Sequence, residues 1–302
     1  MKQVVLITGA NGMLAKQLEK ALDKEYSIRF LTRKKTRSNE YEWDLHSNYI
    51  DPKALIGVNS IIHLAGASIA SKRWTKERKQ LILSSRVDSA GLILRELQKR
   101  NITIDAFISA SAIGYYGSIT TDEVFDEQSP KGTDFLSDVC FEWESAAKAF
   151  KTSGVADRIG ILRIGMILDE KDGALSKLIQ PIKYGFGAGL GSGKQQIPWI
   201  HIQDLVRLIN FILDDPKIVG TFNAVSPHSI TNIELTKKIS QRLKKPLFLP
   251  NIPKFMLQIL FGEMSTILLE GSKISSQKII DTGFEFKFEQ IDDALDNLLN
   301  KG

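Results

Sequence analysis

Residues 7–15 read ITGANGMLA and close a short β-branched run, so that VVLITGA (4–10) ends in glycine. A strand that turns at once into a helix needs residues without side chains at the turn. Gly9 and Gly12 stand there, and Leu14, Leu18, Ala21 and Leu22 follow at helical spacing. Such a turn leaves the first N–H groups of the helix free at the positive end of its dipole. A phosphate can then approach the backbone, as in strand–turn–helix units that hold dinucleotides. The candidate cradle is Gly9, Asn11, Gly12, Met13 and Leu14. The spacing is Gly-x-x-Gly-x-x-Ala, with Ala15 where other dinucleotide folds place a third glycine. An ordinary glycine turn is the competing reading.

The alternation continues. YSIRFLTR (26–33), EYEWDL (40–45), SIIHLAGA (60–67), AFISASAIG (106–114) and IGILRIGMIL (159–168) read as strands, and 75–99 and 135–150 as helices. Apolar strands separated by helices of this length give a parallel sheet covered on both faces. The expected class is α/β, a doubly wound parallel Rossmann-type sheet with ligands at the carboxyl ends of its strands. After about residue 170 the pattern changes. A glycine-rich loop (183–196), an amphipathic helix (201–213) and a strand TFNAV (221–225) precede helices over 231–243, 253–261 and 289–299. A chain of 302 residues suits one large α/β domain with an added lobe. We expect a nucleotide-binding domain over 1–225, with the glycine-rich loop over the cleft, and a small C-terminal lobe over 226–302.

Composition narrows the class. The 40 basic and 35 acidic residues leave a charge of +5, which reads as spread along the chain and argues against a nucleic-acid partner. One cysteine leaves no internal disulfide and no Cys-based metal site. Neither a leader pattern nor an apolar run of the ~18–20 residues that span a bilayer is present. The expectation is a cytoplasmic protein with no membrane partner, acting on a small molecule.

The end of the second strand chooses between cofactors. An acid there holds the ribose 2′-hydroxyl of NAD(H), whereas arginine accommodates the 2′-phosphate of NADP(H). The sequence has Thr32-Arg33-Lys34-Lys35 and no acid, and arginine takes a phosphate through paired hydrogen bonds. NADP(H) is therefore expected over NAD(H), with a solvated basic turn as the alternative. The fourth strand closes on HLAGA (63–67), where a dinucleotide would lie against the backbone of Leu64, Ala65 and Gly66. His63, inside this apolar strand, reads as packed and hydrogen-bonded. The fifth strand ends in SASAIGYYG (109–117). Ser109 is expected beside the cofactor, and Ser111, Tyr115 and Tyr116 are candidate hydroxyls for a substrate oxygen. The glycines ending in Gly193-Lys194 do not make a P-loop, because Gln195 stands where Ser or Thr should follow the lysine.

Together, Gly9-x-x-Gly12, HLAGA, SASAIGYYG and LRIGMIL resemble the extended short-chain dehydrogenase/reductases, the NAD-dependent epimerase/dehydratase group. RWTKERKQLILSSRVDSA (73–90), FLSDVCFEWESAA (135–147), GFGAGLGSGKQQIPWIHIQDL (185–205) and LFGEMSTILLEGSKISSQKIIDTGFEF (260–286) are similar to an atypical subfamily. Its members are labelled epimerase family proteins, or nucleoside-diphosphate-sugar epimerases, and carry a small C-terminal domain of unassigned role. The resemblance implies a Rossmann-type sheet, bound NADP(H) and a sugar-nucleotide or small carbonyl substrate. It also implies that Thr32-Arg33, Leu64-Ala65 and Arg86 surround the cofactor. Ordinary members have asparagine where Arg86 stands, and a structural ion pair is the other role open to that arginine. Ordinary members also use Tyr-x-x-x-Lys on the helix after the serine strand. Here that helix, FLSDVCFEWESAAKAF (135–150), has neither residue at that spacing; the nearest alignment puts Cys140 and Glu144 at the two positions, and a shift of one puts Val139 and Trp143 there.

Apolar residues at 136, 139, 140, 143, 146, 147 and 150 form a full helical stripe that includes Cys140. A buried cysteine behaves as a small hydrophobe, and a carboxylate nearby disfavours its thiolate. Cys140 is thus a candidate nucleophile or a pocket-lining residue. Two functions follow. One is an NADP(H)-dependent epimerase or oxidoreductase, in which Ser111 and Tyr115 or Tyr116 polarise a substrate carbonyl. The other is an NADP(H)-binding or sensing module without hydride transfer, whose C-terminal lobe contacts a protein partner.

Overall fold

The computed structural model describes residues 2–299. Its first strands are β1 (Val4–Thr8), β2 (Ser27–Thr32), β3 (Glu40–Asp44), β4 (Tyr49–Ile50), β5 (Val58–His63) and β6 (Ile104–Ala112). They are followed by β7 (Val124–Phe125), β8 (Ala156–Ile164), β9 (Met166–Leu168), β10 (Gln196–Ile197), β11 (Trp199–His201), β12 (Gly220–Ala224), β13 (Ile230–Thr231) and β14 (Lys273–Ile274). The helices are α1 (Met13–Leu22), α2 (Lys76–Lys99), α3 (Phe135–Thr152), α4 (Gly173–Lys183), α5 (Ile202–Asp214), α6 (Asn232–Arg242), α7 (Lys254–Phe261), α8 (Thr266–Leu269), α9 (Gln277–Ile280) and α10 (Ile291–Leu299).

Eight strands form the central sheet in the order β12-β8-β6-β5-β1-β2-β3-β4, parallel throughout except for β3 with β4. The strand order reverses beside β1, from which the chain runs to β2 on one side and later to β5 on the other. That switch point is where doubly wound sheets open a crevice for ligands.

Side chains of successive strand residues leave on opposite faces, which explains why these strands are apolar throughout. Val5, Ile7, Ile62 and Ile108 pack with α1 and α5, whereas Leu6, Ile61 and Phe107 pack with α2 and α3. Burying each such side chain contributes roughly 1.5–3 kcal/mol.

The expected strand over 159–168 is two strands. It breaks at Gly165, where a Cβ would lie 2.6 Å from the Pro198 carbonyl oxygen. β8 stays in the central sheet, while β9 leaves it to pair with β11. A third apolar cluster gathers Leu168, Leu175, Ile179 and Trp199 with Leu235, Ile239 and the apolar face of α10. The glycine-rich loop is tied to the C-terminal segment. Gly191 N–H donates to Ile252 O at 2.9 Å, and Ile252 N–H to Gly189 O at 2.8 Å. Among the described residues no helix is long and apolar enough to cross a membrane.

Candidate functional site

The turn after β1 fits a dinucleotide. Gly9 has φ +77°, and a Cβ there would lie 3.0 Å from the Leu64 carbonyl oxygen, so glycine is required. Gly12 caps α1 without a side-chain hydrogen bond, and the first turn of α1 has no acidic residue. The first N–H groups of this helix therefore keep their capacity for an anion. The Thr8 hydroxyl locks the neighbouring turn by accepting from Leu64 N–H and Ala65 N–H, both at 2.9 Å.

His63 belongs to the same lock. It is fully buried, with Nδ1 3.1 Å from Thr8 Oγ1 and Nε2 3.3 Å from Arg86 O. With both amides donating to Thr8, the threonine proton goes to Nδ1, and Nε2–H donates to the carbonyl. Burial holds this neutral ring at a pKa of about 4, which a hydrogen bond to the Arg86 carbonyl only partly offsets.

At the end of β2, Thr32 is buried and Arg33, Lys34 and Lys35 are exposed. Arg37 pairs with both Glu19 and Glu40, the former at 2.7 Å and the latter at 2.9 Å. Arg33, Lys34 and Lys35 have no carboxylate within ion-pair distance among the described residues. Lys35 lies over the Tyr41 ring, 5.6 Å from its centre, so three cations without carboxylate partners cluster at the end of β2.

The ends of β6 and β8 hold a buried polar network. The Ser111 hydroxyl, 2% exposed, donates to Glu144 Oε1 at 2.9 Å. Arg163, on β8, grips the same carboxylate with Nε at 2.8 Å and Nη2 at 3.0 Å. Its Nη1 donates to the Tyr116 hydroxyl at 3.0 Å, which in turn donates to Asn223 Oδ1 at 2.6 Å. Burial pushes the Tyr116 phenol up to about 12, even with Arg163 beside it. The Arg163 guanidinium would be lowered by burial, but the bonds from Glu144 more than reverse that and raise it. Tyr115 differs from Tyr116. Its ring is half-buried, with its centre 3.4 Å from the Arg163 guanidinium carbon, and its hydroxyl has no hydrogen-bond partner among the described residues.

The sequence candidates therefore separate. Ser111 and Tyr116 are brought together, but their hydroxyl protons are committed to Glu144 and Asn223. Cys140 is 3% exposed, and burial first, with Glu144 second, pushes its thiol up to about 12. A thiol held protonated at neutral pH is a packing group rather than a ready nucleophile. Ser109 is also buried, its hydroxyl donating to the Ala110 carbonyl at 2.9 Å.

Arg86 is nearly buried and has no ion-pair partner among the described residues. It is 9% exposed, with Nη1 donating to Ile82 O at 2.7 Å and Ala67 O at 3.2 Å, and the guanidinium 4.9 Å from the Trp143 ring. Burial lowers it to about 10, which leaves it charged at neutral pH. A Cβ on Gly66 would lie 3.0 Å from its Cζ, so the cation sits directly under the backbone that follows β5. Nε and Nη2 carry no hydrogen bond among the described residues. A buried cation without a counter-charge fits an anionic ligand.

Two surface hollows, of about 580 and 540 Å³, lie between α1 and α5 and are lined by none of these residues. Among the described residues no group of three His, Cys, Asp or Glu could hold a metal. The residues missed from sequence are Arg163 and Asn223. The signal for the first was a lone arginine inside the apolar run LRIGMIL, which demands a buried partner.

A family model described as the NAD-dependent epimerase/dehydratase family matches residues 5–139, and a domain of unknown function, DUF1731, matches residues 252–298. An epimerase family protein SDR39U1 homologue, chloroplastic, of Arabidopsis thaliana is 35% identical over 97% of this chain and 86% of its own. An epimerase family protein of Staphylococcus haemolyticus is 33% identical over 99% of this chain and all of its own. Human epimerase family protein SDR39U1, crystallised with NADPH, superposes with a TM-score of 0.87 at 26% identity, over 99% of this chain and 100% of that one. MoeE5 in complex with UDP-glucuronic acid and NAD shares the fold at a TM-score of 0.79 and 18% identity, covering 98% of this chain and 97% of that one.

Proposed function

We propose, from the premise that this chain belongs to the NAD-dependent epimerase/dehydratase family, that it binds NADP(H) across the carboxyl ends of β1, β2, β5 and β6. The observation that carries the NADP(H) reading is the trio Arg33, Lys34 and Lys35, free of carboxylate partners at the end of β2. The uncapped N-terminus of α1 would hold the pyrophosphate, and Arg86 would offer its two unused donors beneath Gly66. The human relative crystallised with NADPH supports the same choice.

When bound, the nicotinamide supplies or accepts hydride. The substrate in this reading is a sugar nucleotide or a small carbonyl compound. Tyr115 is the hydroxyl with an uncommitted proton near the strand ends, and the Arg163 guanidinium fixes its ring. Glu144, at the position of the usual lysine, is neutralised by Arg163 and faces the interior.

One observation favours a second reading. The Ser111 proton is donated inward to Glu144, so this serine does not polarise a substrate carbonyl as it stands. A protein that holds NADP(H) without transferring hydride is consistent with that arrangement. The test is to load the purified protein with NADPH deuterated at C4 and offer UDP-sugars and small carbonyls. Deuterium in product, or its loss from the recovered cofactor, supports the enzyme. Saturable NADPH binding without exchange supports the second reading. No NADPH binding removes both.

A further inference from the structure

The charge of this chain is not evenly spread, contrary to the expectation drawn from its net value. Residues 173–203 and 235–262 hold nine of the 40 basic residues and none of the 35 acidic ones. The remainder carries 31 basic against 35 acidic residues and is net negative, so the whole positive balance sits in these two segments.

They are neighbours in space. The loop after α4 lies along residues 247–252, through the Gly191–Ile252 and Ile252–Gly189 backbone bonds, and a Cβ on Gly187 would lie 2.9 Å from Leu247 Cδ1. α7 follows directly. This face also carries the most exposed apolar side chains. Tyr184, Phe186, Phe248, Phe255, Ile259 and Leu260 are 60–70% exposed, and among the described residues only Ile56 is a comparably exposed large apolar group elsewhere. In α7 only Leu257 is buried, so Phe255, Ile259 and Leu260 stand clear of the lobe. In the same two segments Lys183, Lys194, Lys237, Lys244 and Lys245 have no carboxylate partner among the described residues, whereas Lys238, Arg242 and Lys254 are paired.

We propose that this face docks the protein peripherally on an anionic lipid surface. Aromatic and aliphatic side chains would enter the headgroup boundary, and the free lysines would meet lipid phosphates. The composition favours lipid over protein. Protein interfaces deplete lysine and concentrate arginine, and within these two segments every cation without an ion pair among the described residues is a lysine, although Arg73 lies beside Gly262 at the end of α7. The expectation of no membrane partner, which rested on the absence of a spanning segment, does not reach a surface of this kind.

The experiment is co-sedimentation of the full chain with phosphatidylcholine vesicles, with and without phosphatidylglycerol. Binding to the anionic vesicles, weakened by salt, is the expected result. Lys244→Glu/Lys245→Glu should lose about 30-fold or more in affinity. Phe255→Ser/Ile259→Ser should abolish binding even at low salt. Both pairs lie on the surface, and unchanged melting curves and NADPH affinity would show that the variants fold. The proposal is overturned by absent or equal binding to the two vesicle types, or by variants that bind as the wild type does. It is also overturned if vesicles fail to bind while Phe255→Ser/Ile259→Ser dissolves a dimer, or while polyglutamate binds in a salt-sensitive way. Those two results would assign the face to a second copy or to an acidic protein.

Discussion

Arg163→Met tests whether the buried network is a single electrostatic unit. The substitution keeps the apolar stem of the side chain and removes three hydrogen bonds, of 2.8 and 3.0 Å to Glu144 and 3.0 Å to Tyr116. It strands a carboxylate that is 1% exposed, with the Ser111 hydroxyl and the Lys148 ammonium at 3.9 Å as its remaining partners. Removing one member of a buried pair costs roughly 3–5 kcal/mol, chiefly through the charge left behind. For a chain of this size that corresponds to a fall in Tm of about 10 °C. Glu144→Gln in the same background removes the stranded charge while retaining an acceptor for Ser111. The double variant should therefore recover about half of the loss or more, although Arg163→Met alone is severe. Urea unfolding of wild type, both singles and the double gives the coupling directly. A loss below about 1 kcal/mol for Arg163→Met, or losses that simply add in the double, would refute the reasoning.

Three further outcomes follow from the geometry. Gly9→Val should cost roughly 2–4 kcal/mol, because a branched side chain at φ +77° would press against the Leu64 carbonyl, and NADPH binding should fail with it; a variant that melts and binds like the wild type would contradict this. Cys140 should resist a thiol reagent in the folded protein and react once per chain in denaturant, so rapid native labelling would show that burial does not control it. His63, held at about 4 from an ordinary 6.5, is protonated first in the unfolded chain, so its contribution is complete above about pH 6.5 and is lost as pH falls towards 4. His63→Asn should flatten that decline by roughly 3 kcal/mol at most, and identical pH–stability curves would count against the assignment.

Much of this was legible in the sequence because it rests on local rules. The β1 turn is written in Gly9 and Gly12, and the two-faced burial of the sheet in the adjacent apolar residues of 4–7, 61–62 and 106–108. Two- and three-residue strands such as β10 and β13 are too short for any periodicity to announce. The break at Gly165 depends on Pro198, and that contact exists only in the folded chain. Glu144 was visible on the same side of its helix as Cys140, but its partner lies on β8, 19 residues away, and its purpose could be read only from Arg163. The uneven charge was legible too, in two acid-free segments, but their adjacency was not.

The central claim is that the chain holds NADP(H) by its 2′-phosphate at the end of β2. The direct measurement is the pair of dissociation constants for NADPH and NADH, in the wild type and in Arg33→Ser. One NADPH should bind per chain, at least about tenfold more tightly than NADH, and the variant should lose about 10–100-fold for NADPH alone. Equal affinities in the wild type, or a variant that weakens both cofactors alike, would contradict it.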